Sequence, residues 1–510
     1  MLTKKESKIK NINELAFIIN TYKNAGKLVV HCHGVFDLLH IGHIRYFDQA
    51  KAMGHILVVT ITPDRFVDKG PHRPAFNESL RAEAVASLAA VDYVAINEWP
   101  TAEETLRILK PNIYVKGSEF KDTSSDVTGK IGREELVVKE IGAKLRFSDD
   151  IVFSSSNLIN RYLSHFSEEI QEYLPLFRSR HSLENVLLAI EGLSGMRALV
   201  VGDTIIDEYH YCDAIGKSSK EPCLAMKYQS HELFAGGVMA IANHCASFAK
   251  SVDVLTTLGG NESYKDLIES KLATNIRPIF NHRPNSPTTV KRRYVEGYTF
   301  SKLFEIYIME DSPMPEQLDS EQCAWLADNL NEYDVVVAAD FGHGAISNNM
   351  IKVLINQSPF LCVMTQANAG NRGFNTISKY PRADFVCIAE HEIRLETRDL
   401  LGSLRPMVGH LGEKLTCPTF IVTQGRKGCL VSTSKGEFVQ VPSFASNVVD
   451  RVGAGDAFLA VTSLLARKGA DHELIGFIGN VVGALAVEVI GNAKAVDKLA
   501  TIKFITSLLK

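Results

Sequence analysis

The chain has 510 residues, 45% of them hydrophobic and 22% charged, with a formal net charge of −4 at pH 7. That length has room for about two to four domains with sizeable cores. The near-balance of charge excludes the broad basic surface of a nucleic-acid or membrane-surface binder, and nine scattered cysteines without a CxxC pair exclude a disulfide framework or zinc ribbon in favour of reduced thiols in a cytoplasm.

Residues 1–24 form a basic, helix-patterned opening without the apolar core and cleavage site of a signal peptide. Leu28–Val30 is an apolar run that reads as a buried strand. A turn at Gly34 follows, then Gly34-Val35-Phe36-Asp37 and His40-Ile41-Gly42-His43 at the start of an amphipathic helix. Two imidazoles three residues apart lie on one helix face, where the free N–H groups of a helix start also point outward. Gly42 leaves no side chain between them, so a phosphate chain can approach the backbone. A solvated or internally satisfied helix end is the alternative for an isolated HxGH.

Farther on, Ile56–Ile61 reads as a second strand, ending at Thr62-Pro63-Asp64. A Pro- and cation-rich loop containing Lys69 precedes a helix over Asn77–Ala90, with Arg81 in its first half, and a third strand over Val91–Ile96. Ile113–Val115 is a strand closing on Lys116-Gly117, and Phe153-Ser154-Ser155-Ser156-Asn157 leads into a helix over Leu158–Leu163. Those three hydroxyls cap the helix or donate to phosphate. Strands alternating with helices imply a parallel α/β sheet with its site at the strand C-terminal ends.

These motifs resemble the cytidylyltransferase-like nucleotidylyltransferases. KGPHRP, NESLRAEAVASLAAVDYV, YVKGSEFKD and FSSSNLINRYL, in that order, look like the adenylyltransferase half of the bifunctional heptose-phosphate kinase/adenylyltransferases over about residues 25–165. HIGH also marks class I aminoacyl-tRNA synthetases, but their KMSKS-type lysine loop is missing here. The resemblance implies that His40 and His43 hold the NTP phosphates, with Gly34, Phe36, Asp37, Gly42 and Arg81 around the nucleotide. It further implies that Lys69 and Lys116 neutralise phosphate charge and that Ser154, Ser155 and Ser156 contact phosphate or nucleotide. No metal-ligand cluster stands out, so Mg²⁺ is expected to arrive on the nucleotide.

Residues 166–195 are charged, helical in pattern and read as a linker. A second α/β unit, residues 196–510, opens with a strand, Arg197–Asp203, and Asp207 follows. Acids at such a strand end bind sugar hydroxyls or cap a turn. Ala235-Gly236-Gly237 precedes the apolar helix Val238–Phe248, where the glycines admit a ligand to the backbone or make a plain turn. Lys291–Tyr294 and Phe304–Met309 read as strands of a lid or of the sheet. Val335–Ala339 and Phe420–Thr423 read as further parallel strands, and Leu474–Ile490 as a buried helix rather than a membrane span. The strongest signal is Asp450-Arg451-Val452-Gly453-Ala454-Gly455-Asp456. A small-residue loop entering a helix offers several N–H groups to an anion, and an Asp among them can take a proton from an attacking hydroxyl.

With GD…D, GG and VTQGRKG upstream, this half resembles the ribokinase-like (PfkB) sugar kinases, closest to the heptose-phosphate kinase half. That implies Asp456 as base and Gly453, Ala454 and Gly455 as anion hole. Asp203, Asp207, Gly236 and Gly237 would lie at the sugar, and Gly425 and Gly428 beside the nucleotide. Five features depart from the family, one of them Val452 where the loop before GAGD carries Thr. The domain order is reversed relative to the known bifunctional enzyme. The Asn of GGAAN is replaced by Ala240. The DPK-type segment reads Thr365–Arg372, and TPNxxE keeps only Glu392.

The resulting expectation is two α/β domains, each a mostly parallel sheet flanked by helices, the first Rossmann-like and the second ribokinase-like. The enzyme would be bifunctional and cytoplasmic, acting on small-molecule sugar phosphates and nucleotides, with no nucleic-acid or membrane partner and a homo-oligomeric assembly. ATP is favoured over CTP for the transferase, because KGSEF and FSSSN look adenylyl-like and the RTxGIST pattern lacks its Arg. The competing expectation is a CTP-dependent transferase of sugar or polyol phosphates whose kinase-like half only binds or assembles.

Overall fold

The computed structural model describes residues 6–67, 74–117, 130–148, 166–310, 312–433 and 436–509. The chain divides into two compact units, Met1–His165 with Thr506–Lys510, and Phe166–Ile505. Both are α/β units built on mostly parallel sheets, the expected fold class.

In the first unit the elements run α1 (Ile12–Asn24), β1 (Val29–Gly34), α2 (Ile41–Ala52), β2 (Ile56–Ile61), α3 (Glu78–Ala86), β3 (Tyr93–Ile96), α4 (Glu103–Leu109), β4 (Ile113–Lys116), α5 (Lys130–Glu140) and β5 (Lys144–Phe147). The five strands are all parallel, in the order β3-β2-β1-β4-β5. Val30, Cys32, Leu57, Val59 and Val94 pack against Phe47 and Ala50 of α2 and Ala82 and Val85 of α3. Alternate strand residues Val29, Val58 and Ala95 pack against Ile12, Leu15 and Ile19 of α1 on the other face, as the period-2 geometry of strands requires. The chain builds outward from β1 to β3, then returns to β4 on the other side of β1. A crevice therefore opens at the C-terminal end of β1. Helix α3 stops at Ala86, short of the expected Ala90. The turn that follows aims the Leu88 and Val91 carbonyls at Lys8, whose Nζ donates to them at 3.1 and 2.7 Å.

The second unit continues with α6 (Glu168–Arg180), α7 (Leu183–Glu191), β6 (Arg197–Lys217), β7 (Leu224–Gly237), α8 (Val238–Ala246), β8 (Ser251–Asn261), α9 (Lys265–Lys271), β9 (Ile276–Pro287), β10 (Thr289–Glu296), β11 (Ser301–Ile308) and α10 (Glu316–Asn329). It goes on through β12 (Val335–Asp340), α11 (Asn348–Gln357), β13 (Leu361–Thr365), β14 (Phe385–Ala389), α12 (Glu390–Thr397), α13 (Leu404–Lys414), β15 (Thr419–Thr423), β16 (Cys429–Ser432), β17 (Phe438–Val441), α14 (Ala454–Arg467), α15 (His472–Ala486) and α16 (Lys498–Leu509).

Strands β9, β8, β6, β12, β13, β14 and β15 run parallel, and β16 and β17 add an antiparallel edge. Strand β6 is far longer than the expected Arg197–Asp203. Its first seven residues pair with β8, and from Thr204 onward it pairs with β7 and β10, with β11 beyond β10. Gly202 is the reason the expected strand ended too soon. A Cβ there would sit 2.0 Å from the Ala339 carbonyl oxygen, so the glycine serves the close approach of β12 rather than a turn. The stretch 166–195, expected as a linker, is helical and packs onto this unit. Phe177 of α6 stacks on Phe477 of α15 at 4.1 Å between ring centroids, and Arg180 donates two hydrogen bonds to buried Glu473.

Candidate active sites

His40 is the N-cap of α2, with its Nδ1 accepting from the Gly42 N–H at 3.1 Å. Burial lowers its pKa, so the ring is neutral near pH 7 and its one proton resides on Nε2. That nitrogen is enclosed and has no hydrogen-bond partner among the described residues. The His43 ring lies beside it, 4.0 Å between centroids, and is held edge-on by Phe36 at 5.5 Å. Phe36 itself takes a positive φ of 48°, and its ring lies where a Gly34 Cβ would fall, 2.9 Å from the nearest ring carbon. Gly34 thus lets the aromatic fold back under the histidine pair. The result is a neutral His40 donor against a helix N-terminus, with the His43 ring beside it, the electrostatics an anion requires.

Two expected nucleotide contacts act behind this surface instead. Arg81 is 1% exposed; its guanidinium donates to the Phe76, Val35 and Thr62 carbonyls and to Asp64 Oδ1. Four of its five N–H donors are therefore committed to the loops after β1 and β2. Asp37 is buried and accepts from Ala75 N at 2.6 Å. Lys116, at the end of β4, forms an ion pair with buried Glu134 at 2.7 Å, and Tyr114 donates to the same carboxylate at 2.9 Å. Glu134 was not singled out from the sequence, since a single acid in a charged helix carries no distinguishing pattern. Lys69, Ser154, Ser155 and Ser156 lie outside the described residues.

In the second unit Asp456 lies in the first turn of α14, behind Gly453, Ala454 and Gly455. Gly453 needs its glycine twice over. Its φ is +85°, and a Cβ would lie 2.2 Å from Asn492 Oδ1. Gly455 faces open space, so the N–H groups of this helix start are approachable. Burial pushes the Asp456 carboxyl up to about 7; nearby Asp207 adds to the rise and Lys291 opposes it. Asp207 is buried against Arg293, and Asn492 Nδ2 donates to its Oδ2 at 3.4 Å. Gly236 admits that carboxylate, since a Cβ would stand 2.1 Å from Asp207 Oδ2. Gly237 caps α8 with a φ of +57°. These residues form one cluster with Asp456.

Asp203 instead accepts from the N–H groups of Phe341 at 2.9 Å and Ala345 at 2.8 Å, and anchors the loop after β12. Burial, with Asp340 nearby, raises its pKa to about 6. Gly425 and Gly428 shape the β15–β16 turn. A Cβ on Gly428 would meet the Val441 carbonyl oxygen at 1.9 Å. Glu392 accepts from Ala367 N and Ala389 N, and burial pushes its carboxyl up to about 7.

The sequence assigns several further site groups no role of their own. Asp450 accepts from Tyr209 at 2.7 Å, Gly491 N at 2.9 Å and Lys302 at 2.5 Å, and so ties β6 and β11 to the glycine loop. Lys291 and Arg293 point inward from β10, in phase with buried Val295. That shared phase was the available signal. Among the described residues the group of His, Cys, Asp or Glu compact enough for a metal ion is His181, Asp471 and Glu473, where Arg180 already holds Glu473. The donor sets of both candidate sites fit the phosphates of a metal–nucleotide complex.

The model of the pfkB family carbohydrate kinases matches residues 197–499, and the cytidylyltransferase-like model matches residues 31–161. The Bifunctional protein HldE of Geobacter metallireducens is 37% identical over 172 residues, 32% of this chain and 33% of that protein. The HldE of Pelobacter propionicus is 37% identical over 165 residues, 32% of each. The matches lie in the N-terminal part and span about a third of the relatives' length. The tetrameric inhibited form of phosphofructokinase-2 from Escherichia coli shares the second unit's fold. It is 14% identical with a TM-score of 0.50, covering 62% of this chain and 100% of that one. No helix among the described residues is long and apolar enough to cross a membrane. The chain belongs to the pfkB family of carbohydrate kinases and carries a cytidylyltransferase-like domain ahead of its kinase domain.

Proposed function

We propose that this chain is a bifunctional enzyme of activated-sugar synthesis. The first unit joins a nucleotide, ATP in preference to CTP, to a sugar 1-phosphate of the heptose class and releases pyrophosphate. A phosphate oxygen of the sugar attacks the α-phosphorus, an α-phosphorus–oxygen bond forms, and the bond to the pyrophosphate oxygen breaks. The nucleophile is already anionic, so the protein's part is positioning and charge stabilisation. His40 and His43 donate to the nucleotide phosphates, and Lys116 stands at the β4 end as a cation for the sugar phosphate. Arg81 and Asp37 position the loops. The observation that carries this reading is the buried Nε2 of His40, a neutral donor at a helix N-terminus with no hydrogen-bond partner among the described residues.

The second unit phosphorylates a sugar or sugar phosphate with ATP. Asp456 takes the acceptor hydroxyl's proton as its oxygen attacks the γ-phosphorus, ADP leaves, and the N–H groups around Gly453–Gly455 receive the phosphoryl oxygens. Mg²⁺, when bound with the nucleotide, neutralises phosphate charge. A cytoplasmic homo-oligomer completes the reading. Exposed Ile215, Leu224, Tyr298 and Phe304, on and beside β6, β7, β10 and β11, support it. The competing reading, a kinase-like half that only binds, draws on the segment Thr365–Arg372, where Asn368 and Asn371 donate to the Phe341 carbonyl. ATP turnover by wild type beside Asp456→Asn separates the two: loss in the variant supports catalysis, and no turnover in either supports the binding module.

A further inference from the structure

Lys291 is 5% exposed at the middle of β10, yet it makes no hydrogen bond and no ion pair among the described residues. The acid directly beside it in register, Asp207, is taken by Arg293, which also holds Glu305. The Lys291 ammonium rests instead over the Tyr307 ring, 5.3 Å from its centroid. Asp207, Glu305 and Asp203 reach this ammonium only through space; burial without a hydrogen-bonded anion is costly, and a ligand's anion supplies one. It is close enough to Asp456 to lower that carboxyl's pKa, and to His343 to lower that imidazole's. Its register neighbour Asp207 is also held by Asn492, which lies against Gly453, so Lys291 sits beside the glycine loop that carries Asp456.

We propose that Lys291 is the receptor for a phosphoryl group at this loop, supplying from β10 the positive charge that the glycine loop lacks. This rests on reading the loop as a phosphoryl-transfer site. The group has two sources: the phosphoryl in transit from the nucleotide, or a phosphate ester carried by the acceptor.

The test uses the full chain in a His43→Ala background, which silences the first unit's phosphate site, with inorganic phosphate as the probe. Lys291→Met keeps the side chain's length without its charge. It should melt at or above the parent when no anion is present and lose the parent's phosphate-dependent rise in Tm. Lys291→Arg should keep that rise, and so should Asp456→Asn. A Lys291→Met protein that melts well below the parent without anion, or keeps the full phosphate response, overturns the proposal. In kinetics, a fall of about 10²-fold in kcat with every acceptor assigns Lys291 to the phosphoryl in transit. A rise in KM confined to phosphorylated acceptors assigns it to the acceptor's ester. Unchanged kcat and KM with both acceptor types overturns it. A chain with no ATP turnover but a Lys291-dependent phosphate response would sink the kinase reading and leave the anion site standing.

Discussion

At His40 one side chain has two separable duties. Its Nδ1 caps α2 and its Nε2 has no hydrogen-bond partner among the described residues. His40→Asn keeps a good N-cap and removes the Nε2 donor. Pyrophosphate release should fall by about 10²-fold or more with little change in Tm, whereas His40→Ala should lose both; parallel rate and melting measurements check this. Asp456 gives a pH signature. Its folded pKa of about 7 stands above the ordinary 3.8, so ATP turnover should rise with pH through about 7, as the base ionises in the field of Asp207 and Lys291. The stability consequence has the opposite sense. A raised carboxyl pKa stabilises the fold at pH below about 4, and that contribution is lost as pH climbs through about 7. The Tm of Asp456→Asn should therefore exceed wild type increasingly from pH 4 to pH 8. A gap that stays constant would contradict the buried, proton-retaining carboxyl.

The elements show what was legible in the sequence and what was not. The HxGH helix start and the glycine loop before α14 were readable because each site is contiguous and its spacing has one geometric meaning. Arg81 was not, because an arginine that braces three carbonyls and one that grips a nucleotide look alike in a helix. Lys291 and Arg293 were hidden in a strand that is polar at four successive positions, where only the phase shared with Val295 marks the inward face. The stretch 166–195 was legible as helix but not as packing, because its partner Phe477 lies about 300 positions away in sequence. Phe177→Ala should accordingly lower the stability of the second unit by about 3–5 kcal/mol, measurable by denaturant melting. Gly428→Ala should also destabilise, since the site combines a φ of +83° with a backbone oxygen 1.9 Å from the new Cβ.

For the whole molecule, the account joins two phosphate chemistries in one chain. Each unit carries its own site residues, so loss of one activity should leave the other intact. Ala240 and Thr365–Arg372 depart from the sugar-kinase pattern while the glycine loop and Asp456 keep it. The most direct test is pyrophosphate release from each NTP with a panel of sugar 1-phosphates and polyol phosphates, run for wild type, His43→Ala and Asp456→Asn. The account predicts ATP-dependent release with a heptose 1-phosphate, abolished by His43→Ala and untouched by Asp456→Asn. CTP-dependent release with a polyol phosphate would overturn the nucleotide and substrate, and no release with any pair would contradict the transferase itself.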